Sequence, residues 1–270
     1  MQNTPRCKTE TTMTEQLRLE RKGHTAIITI KNPPANTWTE ESLPALQAMV
    51  EELNADSNIY ALVVTGEGPK FFSAGADLNV FGSGDKARAR GMIMAFGRAF
   101  ETLAQFRGVS IAAINGYAMG GGLEAALSCD LRIAEAHAVM ALPEASVGLL
   151  PGGLGTQHLP WVVGEGWAKR MILCGERVDA ETALRIGLVE EVVPTGEALA
   201  KALQWAENVA KQSPSSVKSC KKLIMAARKQ PMWTALTQER EAFVDLFDTE
   251  DQQEGVSAFL EKRKPEWKNR

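Results

Sequence analysis

Three consecutive glycines occupy positions 120–122, with a β-branched, apolar run before them (109–114, VSIAAI) and an alanine-rich run directly after (123–127, LEAAL). The chain must pass there from a strand, apolar on both faces and hence buried, straight into a helix. A glycine-built helix start leaves its backbone amides bare, and the helix dipole favours negative charge in front of them. The spacings of a dinucleotide fingerprint or a phosphate-binding loop are absent. The segment fits an oxyanion site, in which two backbone N–H groups converge on one carbonyl oxygen.

Two other segments share this small-residue character. Residues 70–77 (KFFSAGAD) follow a short strand at 61–65 (ALVVT) and place a tight turn at a strand's carboxyl end, with Gly75 suited to positive φ. Residues 141–157 (ALPEASVGLLPGGLGTQ) run from a short strand through Glu144 to the turn Pro151-Gly152-Gly153 and a glycine-rich helix start. Glu124, one turn into the helix after the tri-glycine, lies among Leu123, Ala125, Ala126 and Leu127. It is either a first-turn glutamate favoured by the dipole and open to water, or a buried carboxylate with a task. Twenty residues separate it from Glu144, with one strand pair between, so the fold can bring the two together. Paired carboxylates can share a water molecule, one taking a proton while the other gives one.

Around these segments, strands at 24–30, 61–65, 109–114, 130–136 and 139–142 alternate with helices, which points to an α/β core. The helix at 39–55 buries Leu43, Leu46, Met49, Val50 and Leu53 on one side. Beyond about residue 195 only helical periodicity remains, opened by Ser213 as N-cap with Pro214 at the first helical position, and broken near Pro231 and Asp248. The expected division is a core over 13–195 and a helical region over 196–270 that packs on a neighbouring subunit or over the active site. Residues 1–12 are polar, lack a secretory apolar stretch and are expected to be a disordered extension.

Composition narrows the function. Lys+Arg total 30 against 33 Asp+Glu, a net charge of −3, which supplies no general attraction to nucleic acid or an anionic membrane. No apolar run is long enough to span a bilayer. The four cysteines and three histidines are scattered without ligand spacing, so neither a metal site nor a disulfide framework is expected, and a reducing, cytoplasmic setting is favoured.

The three segments, in order, resemble the crotonase superfamily, the enoyl-CoA hydratase/isomerase family, over about residues 17–268. The resemblance implies a crotonase-like spiral of repeated ββα units with a C-terminal helical region, assembled as homotrimers or homohexamers. It implies hydration of an enoyl-CoA, with no cofactor beyond the coenzyme A of the substrate. Carried over by position, the backbone N–H groups of Ala76 and Gly121 form the oxyanion hole. Glu124 acts as base toward the water and Glu144 protonates C2. Gly152 lines the pocket near the reacting carbons. Ala35 and Ala74 contact the coenzyme, and Gly75, Asp77 and Gly120 complete the substrate-binding turns. Many isomerases of the family keep only the second acid, so the presence of both glutamates argues for hydration. Pro34 stands where family members often have a basic residue, while Lys268 is a candidate to supply charge from a neighbouring subunit. Some relatives bind RNA through a lysine-rich first helix, but the helix at 39–55 has no Lys or Arg, so no nucleic-acid partner is expected. The stretch 78–99 is expected to set acyl-chain preference and to be mobile at its Gly-Ser-Gly start, with Met92 and Met94 filling core gaps. Because these donors are main-chain, blocking Gly121 is expected to be a sharper probe of the oxyanion site than side-chain truncation.

Overall fold

The computed structural model describes residues 14–270, so the extension expected at 1–12 lies outside the described residues. Strands β1 (Leu17–Lys22) and β2 (Thr25–Ile30) form an antiparallel hairpin that opens a six-stranded sheet. Parallel to β2 follow β3 (Ala61–Gly66), β5 (Val109–Ile114), β7 (Leu131–Glu135) and β10 (Glu191–Val193). A second sheet of four strands takes β4 (Phe71–Ser73), β6 (Tyr117–Met119), β8 (Val139–Ala141) and β9 (Val178–Asp179). The chain thus alternates between sheets, β3 to β4, β5 to β6 and β7 to β8, before each turns into a helix or helical turn. This is the spiral of ββα units that the resemblance implies.

Strand alternation explains why the large sheet is apolar on both faces. Leu62, Val64, Ala112, Ile114 and Ala134 face a core shared with α1 (Ser42–Ala55) and α2 (Lys86–Ala104). Their neighbours Ala61, Val63, Ile111, Ala113 and Ile133 face α6 (Ala198–Val209) on the other side. That helix meets the sheet through Ala198, Ala202 and Ala206, a four-residue repeat of small side chains that lets it approach closely. The stripe read from α1 is buried as expected. Hairpin strand β1, not among the strands expected from sequence, offers only two apolar positions, Leu17 and Leu19, before its charged end.

The rest of the chain is helical: α3 (Gly121–Leu127), α4 (Gly155–Leu173), α5 (Ala180–Arg185), α7 (Pro214–Ala226), α8 (Met232–Asp245) and α9 (Glu250–Leu260). Ser213 caps α7 as expected, its side chain accepting from the Ser216 amide. No residue of α7 is fully buried, and its tie to the core is polar. Lys221 Nζ reaches the carbonyls of Phe106 (2.6 Å) and Gly108 (2.9 Å) and the carboxylate of Asp130 (2.7 Å), which also accepts from Ser110. The side chains of Lys221 and Asp130 are 11% and 25% exposed, so removing the ammonium leaves the carboxylate to Ser110 and solvent and the two carbonyls without this donor. Lys221→Met is expected to cost about 1–2 kcal/mol in urea denaturation. An unchanged midpoint would show that α7 is held by apolar contact alone.

Candidate functional site

Strands β4, β6 and β8 run parallel, and the three segments singled out in the sequence follow their carboxyl ends. Ligand crevices in α/β proteins form at such ends. The first turn takes Ala74 to Asp77, the second the tri-glycine, the third Pro143 and Glu144. Close packing brings the first two together: the backbone of Gly122 lies so near the Ser73 carbonyl that a side chain there has no room. Gly75, at φ +93°, stands back to back with Gly121. Between the three turns and α2 lies a cavity of about 330 Å³.

The amides proposed from sequence are both bare. Trp38 forms a parallel bridge with Ala76 by donating to the Gly75 carbonyl (2.8 Å) and accepting from the Asp77 amide (3.1 Å). In that ladder pattern Ala76's own N–H points away from Trp38. Gly121 is the first residue of α3, where no intrahelical acceptor exists. Among the described residues neither amide donates to a protein group, and both residues line the cavity.

Glu124 and Glu144 line the same cavity. Glu124 is 3% exposed, which excludes the solvated first-turn reading. Its Oε1 accepts from the amides of Gly153 and Gly155, both at 2.8 Å. Burial pushes its pKa up to about 7; the Glu144 charge adds to the rise, and the two amides oppose it. Glu144 opens a short helical turn (Glu144–Val147). Burial raises its pKa too, and its Oε2 is buried without a partner. A buried polar atom left unpaired is costly and is satisfied by what enters beside it.

Of the remaining sequence candidates, Ala74, Gly75, Gly120 and Gly152 line the cavity, and Ala35, Asp77 and Lys268 do not. The Ala35 carbonyl accepts from the Ala74 amide at 2.9 Å, so the two are paired with each other. Asp77 caps a short helical turn, its carboxylate accepting from Asn79. Lys268 has its amide on Asp251 of α9 and its Nζ 3.8 Å from Glu266. The stretch expected to set acyl-chain preference contains a short helical turn and α2, which Asp85 caps. Met92 is a core residue, but Met94 is 53% exposed, because two residues on a helix are about 200° apart. Ile93 and Phe96, one turn apart, face the cavity instead. The i, i+3 spacing of two large apolar residues was the signal to read. The roles of Gly153 and Gly155 had none, since a backbone donor leaves no mark in side-chain identity.

Comparison with known proteins finds relatives along nearly the whole chain. The sequence model described as enoyl-CoA hydratase/isomerase matches residues 20–270. The short-chain-enoyl-CoA hydratase of Clostridium acetobutylicum is 39% identical, covering 93% of this chain and 97% of its own. The 2,3-dehydroadipyl-CoA hydratase of Escherichia coli is 38% identical over 94% of this chain and 99% of its own. Among solved structures, Pseudomonas aeruginosa DspI superposes with a TM-score of 0.93 at 67% identity, over 94% of this chain and 97% of that one. Likeness of sequence over nearly the whole length, together with likeness of fold, leaves one assignment: this chain belongs to the enoyl-CoA hydratase/isomerase family of the crotonase superfamily.

Proposed function

We propose that the cavity hydrates a trans-2-enoyl-CoA, adding water syn across C2–C3 to give a 3-hydroxyacyl-CoA. The observation that carries this reading is one cavity lined by two carboxylates and two unpaired amides. Water attacks C3 and gives a proton to Glu124. The π electrons shift onto the thioester oxygen, held by the amides of Ala76 and Gly121, and C2 then takes a proton from Glu144. The sum is one water added and one proton carried between the carboxylates, so the chemistry calls for no cofactor beyond the coenzyme A of the substrate.

The two acids titrate as a pair, and the working state holds one proton between them. In the empty site deeper burial weights that proton toward Glu124. A bridging water can pass it to Glu144, and the Gly153 and Gly155 amides then favour Glu124 as the carboxylate. When the last proton leaves, no acid remains for C2. The rate is therefore expected to fall as pH rises through the pair's upper ionisation, about 7 in the free protein. Crotonyl-CoA hydration, followed as loss of enoyl thioester absorbance across pH, tests both statements. Turnover of a 3-enoyl-CoA without water addition would make the protein an isomerase, and a kcat/KM flat through that range would remove the shared proton.

Exposed Trp233, Phe243 and Phe259 in the region 196–270 support assembly as a homotrimer or homohexamer. Among the described residues no helix is long and apolar enough to cross a membrane. Cys129, Cys174 and Cys220 are free thiols, in keeping with a reducing cytoplasm.

A further inference from the structure

Behind the cavity wall three aromatic rings form a chain that reaches Gly121, Gly153 and Ala76. Phe96 stands at the front, its Cε1 2.8 Å from where a Cβ on Gly121 would lie. Phe100, one turn along α2 and fully buried, meets Phe96 edge-on with centroids 5.4 Å apart. Trp38 meets Phe100 edge-on at 5.6 Å, and its main chain is the strand partner of Ala76. The central ring has a fourth contact. Its Cδ2 and Cε2 lie 2.9 and 3.0 Å from where a Cβ on Gly153 would be, and Glu124 Oε2 lies 2.9 Å from the same point. Gly153 is thus pressed between the Phe100 ring and the carboxylate on which its amide donates.

We propose that Phe100 is a positioning residue for hydration, its ring holding the Gly153 amide on Glu124 and, through Phe96 and Trp38, the spacing of the Gly121 and Ala76 amides. It does not line the cavity. Edge-to-face packing fixes ring orientation as well as volume, so a smaller side chain releases several backbone positions at once. A displacement of about 1 Å in reacting groups can cost about 100-fold in rate. This inference rests on the hydratase reading, and its test must survive the failure of that reading.

The variants are Phe100→Leu and Phe100→Ala in the full chain, with Leu103→Ala as control. Leu103 lies on the same helix, is as fully buried, and does not line the cavity. Phe100→Ala is expected to lower kcat by about 10- to 100-fold with KM within about 3-fold, and Phe100→Leu, which keeps more of the volume, to fall less. Water entering beside Glu124 relieves its burial, so the alkaline limb of the pH profile is expected to move to lower pH. Leu103→Ala is expected to lose stability while keeping its profile. A second readout is the absorbance of bound cinnamoyl-CoA, which moves to the red when the thioester oxygen is polarised. The wild type and Leu103→Ala are expected to show the shift and Phe100→Ala to lose most of it. If the wild type shifts the spectrum but hydrates nothing, the hydratase reading falls and the spectra still decide on Phe100. Equal losses in Phe100→Ala and Leu103→Ala, or a full red shift in both Phe100 variants, would overturn the proposal.

Discussion

Glu144→Gln is expected to lower kcat for crotonyl-CoA hydration by about 1,000-fold or more, and Glu124→Gln by a similar factor. Each substitution keeps the shape of the side chain and removes one station of the proton path. On the proposed mechanism the acids share one water and one proton, so the double variant is expected to be scarcely slower than either single one. Losses that multiply would mean two independent roles and would sink the shared-water mechanism. The two variants are expected to part in stability. Glu124 holds its proton more tightly folded than its ordinary value of 4.5 allows, up to about 7. Between those pH values the folded protein keeps a proton that the unfolded chain has released, so stability falls as pH rises through that window. The shift corresponds to about 3 kcal/mol at most. Glu124→Gln carries no charge and can still accept from Gly153 and Gly155. It is therefore expected to be more stable than wild type at pH 8 and equal to it near pH 4. A variant less stable at pH 8 would show that the buried charge is compensated by groups other than those two amides.

What could be read in advance, and what could not, follows from which interactions leave a trace in residue type. The strands β3 and β5 are legible as short β-branched runs apolar on both faces, and the stripe of α1 because burial on one side selects apolar side chains at the helical period. Gly75 was legible as a positive-φ position for the same kind of reason: only glycine takes that conformation without strain. Glu124 could be placed at a helix start among apolar neighbours, yet whether it was buried depended on what α4 laid over it. Gly153 and Gly155 bond to it across 29 and 31 residues of sequence through main-chain amides that any residue possesses. Met94 shows the opposite case: a methionine reads as a core gap-filler, but its angle of about 200° from Met92 on α2 turns it to solvent. Recognition of the family joined the three turns into one site before their distances were known; the geometry then supplied what recognition lacks, the bare N–H groups and the partnerless Oε2 of Glu144.

Gly75→Ala is expected to damage the oxyanion site more than Gly121→Ala does. At Gly121 an added Cβ meets the edge of the Phe96 ring at 2.8 Å, and a side chain gives way more readily than main chain, at the cost of disturbing its packing on Phe100. At Gly75 the added Cβ meets main chain: the Met119 carbonyl at 2.7 Å and the Gly121 nitrogen at 3.1 Å. Neither can move without carrying the end of β6 and the start of α3 with it. The φ of +93° adds strain of about 1–3 kcal/mol for a residue with a side chain. The relief open to the chain is to part the two turns, which widens the gap between the Ala76 and Gly121 amides. Losing one oxyanion donor costs about 100- to 1,000-fold in kcat, and Gly75→Ala is expected to fall in that range with a smaller change in KM. Gly121→Ala is expected to lose about 10-fold, in proportion to a ring displacement that leaves both donors present. The bound cinnamoyl-CoA spectrum separates a local effect from unfolding, since Gly75→Ala should bind the thioester and fail to shift it to the red. A Gly75→Ala protein with wild-type kcat and a full red shift would show that the thioester oxygen is not held between these two amides.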